Sequence, residues 1–207
     1  MIPIKPQPEP IHFNKKVRLK GQKYLSKMGS STIDAAAWKS HSYWRDILPD
    51  LHEAYSSICA YCAHWISPGT GDSTVEHFIP KSTNRNLAYE WSNYRLVCGT
   101  LNGRKSDRSI LDPFTLQEGW FILDFPSLMI KPNPTLTLQE KALVRNTLDI
   151  LQLNEDESFV KLRYKWLMDY CVGSTTYEYF KKHAPFTAYE LERQGKLQNI
   201  KKIMSLD

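Results

Sequence analysis

The apolar residues of this 207-residue chain follow patterns that change from helical to strand-like and back to helical. Between residues 42 and 57 they recur at three- and four-residue steps, which predicts a helix that Pro49 interrupts. Residues 73–79 and 94–97 carry the β-branched and aromatic side chains of short strands, joined by a long polar loop. A helix is then predicted to open within residues 102–106.

Residues 116–207 are predicted to form one strand, over 120–125, and three helices. Two Thr-x-x-Glu capping boxes, beginning at Thr137 and Thr187, indicate the starts of the first and last of these helices. Asn154 is predicted to cap the middle one. The pattern as a whole predicts an α+β protein that is mainly helical.

The first 40 residues differ in composition from the rest of the chain. Proline recurs at alternate positions between Ile2 and Ile11, which favours an extended, polyproline-like segment. Residues 13–27 hold six basic side chains and no acidic one. Such a block can contact phosphates or an acidic partner, and the alternative is a solvated arm. We therefore expect three regions: a Pro-rich, basic, partner-binding arm (1–40), a central core with its leading helix (41–115) and a C-terminal strand and helical region (116–207).

Composition narrows the class of protein and of partner. The hydrophobic content of 42% is that of a globular protein, and no apolar run approaches the roughly 20 residues of a membrane span. The N-terminus has no apolar signal core, so a cytoplasmic location is expected and a membrane partner is not. A net charge of +5 favours a polyanionic partner such as a nucleic acid.

The segment 59–107 carries the candidate chemistry. His77 has an imidazole suited to accept a proton from water, and the adjacent Glu76 offers the hard carboxylate oxygen that Mg²⁺ or Mn²⁺ prefers. Asn102 can supply a second oxygen ligand, and Asn93 can fix the loop that follows His77. These residues predict a divalent-metal centre with His77, Asn93 and Asn102 as catalytic residues and with Glu76 and Asn102 as metal ligands.

Two further sets surround that centre. Three cations are expected to hold phosphates: Lys81, Arg104 and Lys105. A structural zinc site would use Cys59, Cys62 and Cys98, but tetrahedral zinc takes four ligands and Leu101 stands where a second Cys-x-x-Cys pair would end. Zinc with His64 as the fourth ligand and a packed, metal-free cluster are therefore both open.

The segment resembles the HNH, or ββα-metal, endonuclease superfamily, whose His-Asn-Asn variant matches His77, Asn93 and Asn102. Residues 102–107 are also similar to the last part of the HNH domain in CRISPR nucleases. A wider resemblance, to the retron- and Septu-associated HNH family (PtuB-like), includes residues 148–154 and the motifs Cys59-Ala60-Tyr61-Cys62, Val75-Glu76-His77-Phe78 with Pro80-Lys81, Tyr89-Glu90-Trp91-Ser92-Asn93 and Leu111-Asp112-Pro113.

The resemblance implies a ββα-metal HNH core and a nuclease of anti-phage defence that works in a hetero-oligomer with an ABC/SMC-type ATPase. It assigns the general base to His77, the metal to Glu76 and Asn102, and the orienting role to Asn93. DNA is the expected substrate, and RNA, including tRNA, is the alternative. Two other functions stay open: a catalytically degenerate HNH-fold adaptor that docks protein or nucleic acid, and a homing or restriction-type enzyme that acts alone.

Overall fold

The structure is a computed structural model that describes residues 1–206. It confirms the predicted α+β class, with about 48% helix and two small sheets. The chain divides into two compact units. The first unit comprises Lys5–Ser57 and Ile66–Asp107, and the second comprises Met1–Ile4, Ile58–Trp65 and Arg108–Asp207. In the described residues, no helix combines the length and the apolar character that crossing a membrane requires.

The first unit contains four α-helices and a two-stranded sheet within its described residues, in the order α1 (Leu19–Met28), α2 (Ala35–Ser40), α3 (Leu48–Ala54), β1 (Ser73–His77), β2 (Tyr94–Cys98) and α4 (Gly99–Lys105). The long helix predicted over residues 42–57 is divided here. A 3-10 turn spans Tyr43–Ile47, and α3 starts just before Pro49, which lies in its first turn. Proline is tolerated there because the first amides of a helix have no intrahelical acceptor.

The predicted extended arm is wrong for residues 13–28, which are helical. A π-helical segment, Asn14–Arg18, continues into α1, and the side chains of Phe13, Val17 and Tyr24 are buried in the first unit. Their spacing of four and seven residues places them on one face of the helix. The basic residues occupy the opposite, solvated face, and this is why the segment resembled an arm in the sequence.

The proline-rich start of the first unit, residues 5–10, forms neither helix nor strand and is held in place by hydrogen bonds. The backbone amide of Gln7 donates to the Tyr55 hydroxyl at 3.2 Å, and the indole Nε1 of Trp91 donates to the Gln7 carbonyl at 2.8 Å. Arg18 then forms ion pairs with Glu9 and with Glu90. This segment therefore belongs to the packed first unit.

The two strands of the first unit pair antiparallel, with Ser73 opposite Cys98 and His77 opposite Tyr94. Helix α4 begins at Gly99, directly after β2, so the predicted order of strand, strand and helix is present. The direct transition brings α4 against both strands. It places Asn102, in the middle of α4, beside Thr74 of β1.

The second unit contains a β-hairpin and five α-helices within its described residues: β3 (Phe121–Leu123), β4 (Ile130–Pro132), α5 (Leu138–Leu151), α6 (Glu157–Cys171), α7 (Tyr177–His183), α8 (Pro185–Arg193) and α9 (Ile200–Ile203). The capping box of α5 is confirmed, since the Thr137 hydroxyl and the Glu140 carboxylate each accept the other's backbone amide. Helix α8 begins at Pro185, so the box predicted at Thr187 is wrong.

The prediction that Asn154 caps the middle helix is wrong. Asp156 caps α6, whereas the Asn154 side chain bonds both the amide and the carbonyl of Ile130, each at 2.8 Å. Arg163 of α6 is buried and donates to the carbonyls of Leu128 and Leu153. These polar groups fix the hairpin and the loop around it.

Candidate active site

A cavity of about 1160 Å³ lies in the first unit and brings together several of the residues that the sequence predicted. Glu76 and His77 reach it from the end of β1, Asn102 from α4, and Lys81 from the loop after β1. Four chemically different groups, a carboxylate, an imidazole, a carboxamide and an ammonium, therefore line one cavity.

His77 is held in a defined tautomer. Its Nε2 lies 2.9 Å from the Ala88 carbonyl, which can only accept, so Nε2 carries the proton and Nδ1 keeps the lone pair. The ring is buried and meets the Trp44 ring edge-on at 4.7 Å. Burial, together with the nearby Lys81 ammonium, lowers the pKa of His77 to about 3. The ring is therefore a neutral base whose accepting atom is Nδ1.

Lys81 lies directly beside that base. Its Nζ is 3.4 Å from His77 Nδ1, and it is also 4.9 Å from the centre of the Trp44 ring and 5.8 Å from that of Trp38. Burial lowers the pKa of Lys81, while Glu76 acts to raise it. A phosphate held by this ammonium would stand next to His77, and the phosphate-binding role of Lys81 stays a prediction.

Glu76 is buried in an ion pair with Lys105. The Lys105 Nζ lies 2.8 Å from Glu76 Oε1, and the two side chains are 1% and 4% exposed. Burial raises the pKa of Glu76, and the Lys105 ammonium opposes that rise. Lys105 thus contacts the predicted metal ligand from inside the protein. The predicted phosphate contact of Lys105 would need a different position of its side chain.

Asn102 presents its side-chain oxygen as an acceptor. Its Nδ2 donates to the Thr74 hydroxyl at 2.8 Å, and that hydroxyl donates to the Val97 carbonyl at 2.9 Å. This chain of hydrogen bonds assigns the amide group of Asn102 to Thr74 and leaves Oδ1 as the atom that can bind a cation. Arg104, in the last turn of the same helix, is half-buried and does not line the cavity.

Asn93 fixes the loop that carries Lys81. Its Oδ1 accepts from the Ile79 amide at 2.8 Å, and its Nδ2 donates to the carbonyls of Ile79 and Leu87 at 3.0 and 3.1 Å. Asn93 is buried and bonds the loop on both sides of Lys81. It therefore has the geometry of an orienting residue that acts through the backbone and makes no direct bond to His77.

The predicted zinc ligands belong to different units. Cys59 and Cys62 are buried in the second unit with their Sγ atoms within 4.8 Å of each other, while Cys98 ends β2 of the first. His64, the suggested fourth ligand, uses Nδ1 on the Cys62 carbonyl at 3.1 Å. Burial and Arg163 lower its pKa to about 4. Zinc at these cysteines stays a prediction.

Several residues of the cavity wall carry no functional signal in the sequence. Trp44 falls in the apolar pattern of residues 42–57 and Trp38 in no pattern, yet both line the cavity. Arg85 also lines it and donates to the Gly29 and Ser31 carbonyls, which fixes the loop before α2. The spacing of these residues in the sequence does not indicate that they share a cavity, because they come together from segments that are far apart in the chain.

No family model matches this chain. It is similar to the Septu protein PtuB of Bacillus thuringiensis, at 28% identity over 137 residues. That alignment covers 64% of this chain and 48% of PtuB, so the chain spans about half the length of this curated relative. The similarity supports the PtuB-like part of the sequence-based resemblance.

Proposed function

We propose that this protein is a metal-dependent HNH nuclease that hydrolyses phosphodiester bonds. One observation carries the proposal: an imidazole whose unprotonated Nδ1 lies 3.4 Å from the Lys81 ammonium shares a cavity with the side chains of Glu76 and Asn102. A base, two oxygen ligands and space beside them are what metal-assisted hydrolysis requires. The ammonium of Lys81 adds a site for the substrate phosphate.

The donor set fits Mg²⁺ or Mn²⁺. Both ions prefer hard oxygen ligands and keep several waters, and the cavity of about 1160 Å³ has room for those waters and a phosphate. Glu76 and Asn102 would hold the ion. When bound, the ion would polarise the phosphoryl oxygen and stabilise the charge that develops on the leaving oxygen.

The residues of the chain supply the proton transfer and the positioning. His77 Nδ1 accepts a proton from the attacking water as the water oxygen bonds to phosphorus and the bond to the leaving sugar oxygen breaks. The bond from Nε2 to the Ala88 carbonyl fixes the ring orientation, and Asn93 fixes the loop of Lys81. Lys105 keeps the Glu76 carboxylate in place through their ion pair.

A cleavage assay tests this function. The purified chain is incubated with Mg²⁺ and with plasmid DNA or total RNA, and His77→Ala should cut about 10²- to 10⁴-fold more slowly than the wild type. His52→Ala is the matched control, because His52 is a half-buried histidine of the same unit that does not line the cavity. Equal cleavage by His77→Ala and the wild type would refute the assignment.

We further propose that the nuclease is the effector of an anti-phage defence system of the Septu or retron type. The similarity to Septu protein PtuB supports this role. In this proposal an ABC/SMC-type ATPase forms a hetero-oligomer with the chain and controls its activity. Co-expression with such an ATPase, followed by size exclusion, tests the complex, and separate elution of the two proteins would contradict it.

One observation favours a second function, that of a catalytically inactive docking module. The Glu76 charge is already balanced by the buried Lys105 ammonium, so the fold does not need a cation to neutralise it. A docking module should bind nucleic acid or a partner without responding to Mg²⁺. Mg²⁺-dependent cleavage that His77→Ala removes would contradict this alternative.

A further inference from the structure

The cavity is larger than a metal ion and a phosphate need. Its volume of about 1160 Å³ exceeds the range of about 300 to 1,000 Å³ that is usual for small-molecule sites. Much of its wall has no role in the proposed hydrolysis. That part includes Trp38 and Trp44 and three polar residues of the preceding loop, Ser30, Ser31 and Thr32. The cavity therefore has room for a nucleoside beside the reacting phosphate.

The aromatic wall begins at the candidate base. The Trp44 ring stands perpendicular to the His77 ring at 4.7 Å, and the Trp38 ring lies 6.2 Å beyond Trp44. Trp44 is only 9% exposed, whereas Trp38 is half-buried and keeps accessible surface in the cavity. Trp38 is thus the indole that can contact a ligand, and the Trp44 ring lies between it and His77.

The surroundings of Trp38 are preformed. Its ring packs against the rings of Tyr24 at 6.3 Å and Tyr89 at 6.2 Å. The Asp34 carboxylate caps α2, which carries Trp38, by accepting from the Ala37 amide at 2.8 Å. Ring packing and a capped helix together set the position of the indole before any ligand arrives. A preformed surface of this kind loses little conformational freedom on binding.

We propose that Trp38 is a stacking site for an unpaired nucleobase that neighbours the scissile phosphate, and that the protein therefore acts on single-stranded or unpaired nucleic acid. The proposal rests on the nuclease function above and adds its substrate class. Lys81, which lies between His77 and the two indoles, would contact the phosphate that connects the base to the reaction centre. A base inside a duplex is stacked on both faces and has to be unpaired, at a cost of a few kcal/mol, before it can reach an indole in a cavity, so a strand that is already unpaired is favoured.

A binding experiment without cleavage tests the site. Fluorescence anisotropy in EDTA compares a labelled oligothymidine with an abasic strand of the same length and with a duplex. The wild type should bind the normal strand about tenfold more tightly than the abasic strand, since stacking on an aromatic side chain contributes this much per base. Trp38→Ala should bind both strands equally, at the abasic level. An oligouridine arm reports whether RNA or DNA is preferred.

Trp120→Leu is the control, because Trp120 is half-buried in the second unit and does not line the cavity. It should keep the full preference for the normal strand. Equal wild-type affinity for the normal and abasic strands, or tighter binding of the duplex, would overturn the proposal, and neither comparison depends on whether Trp38→Ala folds. If that preference is absent while Mg²⁺-dependent cleavage is intact, only the base site fails. If the preference is present while His77→Ala still cuts, only the assignment of His77 as the base fails.

Discussion

Each unit buries a glutamate, and the two glutamates have opposite surroundings. Glu190 of the second unit is 0% exposed, and its carboxylate accepts from the Leu123 amide, from Gln194 and twice from Arg193. Glu76 of the first unit is 3% exposed, pairs with Lys105 and lines a large cavity. A buried charge saturated by hydrogen bonds is part of the framework. A buried charge beside a cavity with one cationic partner is suited to bind a ligand.

Charge separates the two units in the same way. The first unit carries 14 lysines and arginines against 9 aspartates and glutamates, while the second carries 13 of each, so the whole net charge of +5 belongs to the first. A polyanionic substrate is attracted to the unit that also holds the candidate site. The second unit has no net charge and therefore lacks this attraction.

The largest difference between the two glutamates is expected in the cleavage rate when the charge of each is removed. Glu76→Gln should lower the Mg²⁺-dependent rate at least about 100-fold, because a carboxamide is a weaker ligand than a carboxylate for a hard cation. Glu190→Gln should leave the rate per folded molecule unchanged. A fall of similar size in both variants would show that the two buried carboxylates do not differ in function.

The free energy of unfolding should depend more on Glu190 than on the Glu76–Lys105 pair. Glu190→Ala should lower the free energy of unfolding by about 3 kcal/mol, since it leaves a buried amide and Arg193 without their acceptor. The double variant Glu76→Leu/Lys105→Met should cost at most about 1 kcal/mol, because replacing a whole buried ion pair by apolar residues of similar size is often neutral. Urea unfolding measures both. A larger loss for the double variant would mean that the Glu76–Lys105 pair supports the fold.

The loop beside the candidate base offers a smaller effect. Asn93→Ala should lower the free energy of unfolding by about 2 kcal/mol, because it removes three hydrogen bonds to the backbone of Ile79 and Leu87. Proteolysis should then cut within residues 80–87 sooner than in the wild type. Asn146→Ala is a control on the second unit, where the side chain makes one bond to the Ser109 carbonyl. Unchanged protection of the loop would remove the orienting role from Asn93.

Surface charge should have the smallest effect per residue. Lys15→Glu/Lys16→Glu changes two exposed lysines of the first unit and should reduce the slope of log affinity against log salt by about 1 for each phosphate that the protein no longer neutralises. The matched control is Lys201→Glu/Lys202→Glu, on exposed positions of the second unit. An equal change in slope for the two variants would place the nucleic-acid surface on neither unit alone.

Local signals predicted the fold well where they were complete. The capping box at Thr137 and the strand, strand, helix order around His77 are both present in the structure. The N-terminal helix was missed because the apolar face of Phe13, Val17 and Tyr24 is interleaved with basic residues, which drew attention to charge. Gly21 lies within that helix because a Cβ there would overlap the Tyr89 ring, and sequence cannot reveal such a contact.

The residue types of the candidate site could be predicted from the sequence, but the contacts between its side chains could not. Residue types and order selected Glu76, His77 and Asn102, and the structure places all three on one cavity. The ion pair between Glu76 and Lys105 joins residues 29 positions apart, and it depends on how α4 packs against β1. The Trp38 wall depends on loop packing as well. Spacing rules reach one or two helical turns and therefore cannot report either feature.

Metal titration tests the central claim most directly. Mn²⁺ is added to the wild-type chain and to the Glu76→Gln/Asn102→Ala variant, and the bound ion is counted by electron paramagnetic resonance. We expect one Mn²⁺ site in the wild type, which the variant loses and from which Mg²⁺ displaces Mn²⁺ by competition. Equal Mn²⁺ binding by the two proteins, or no binding by the wild type in the presence of nucleic acid, would contradict it.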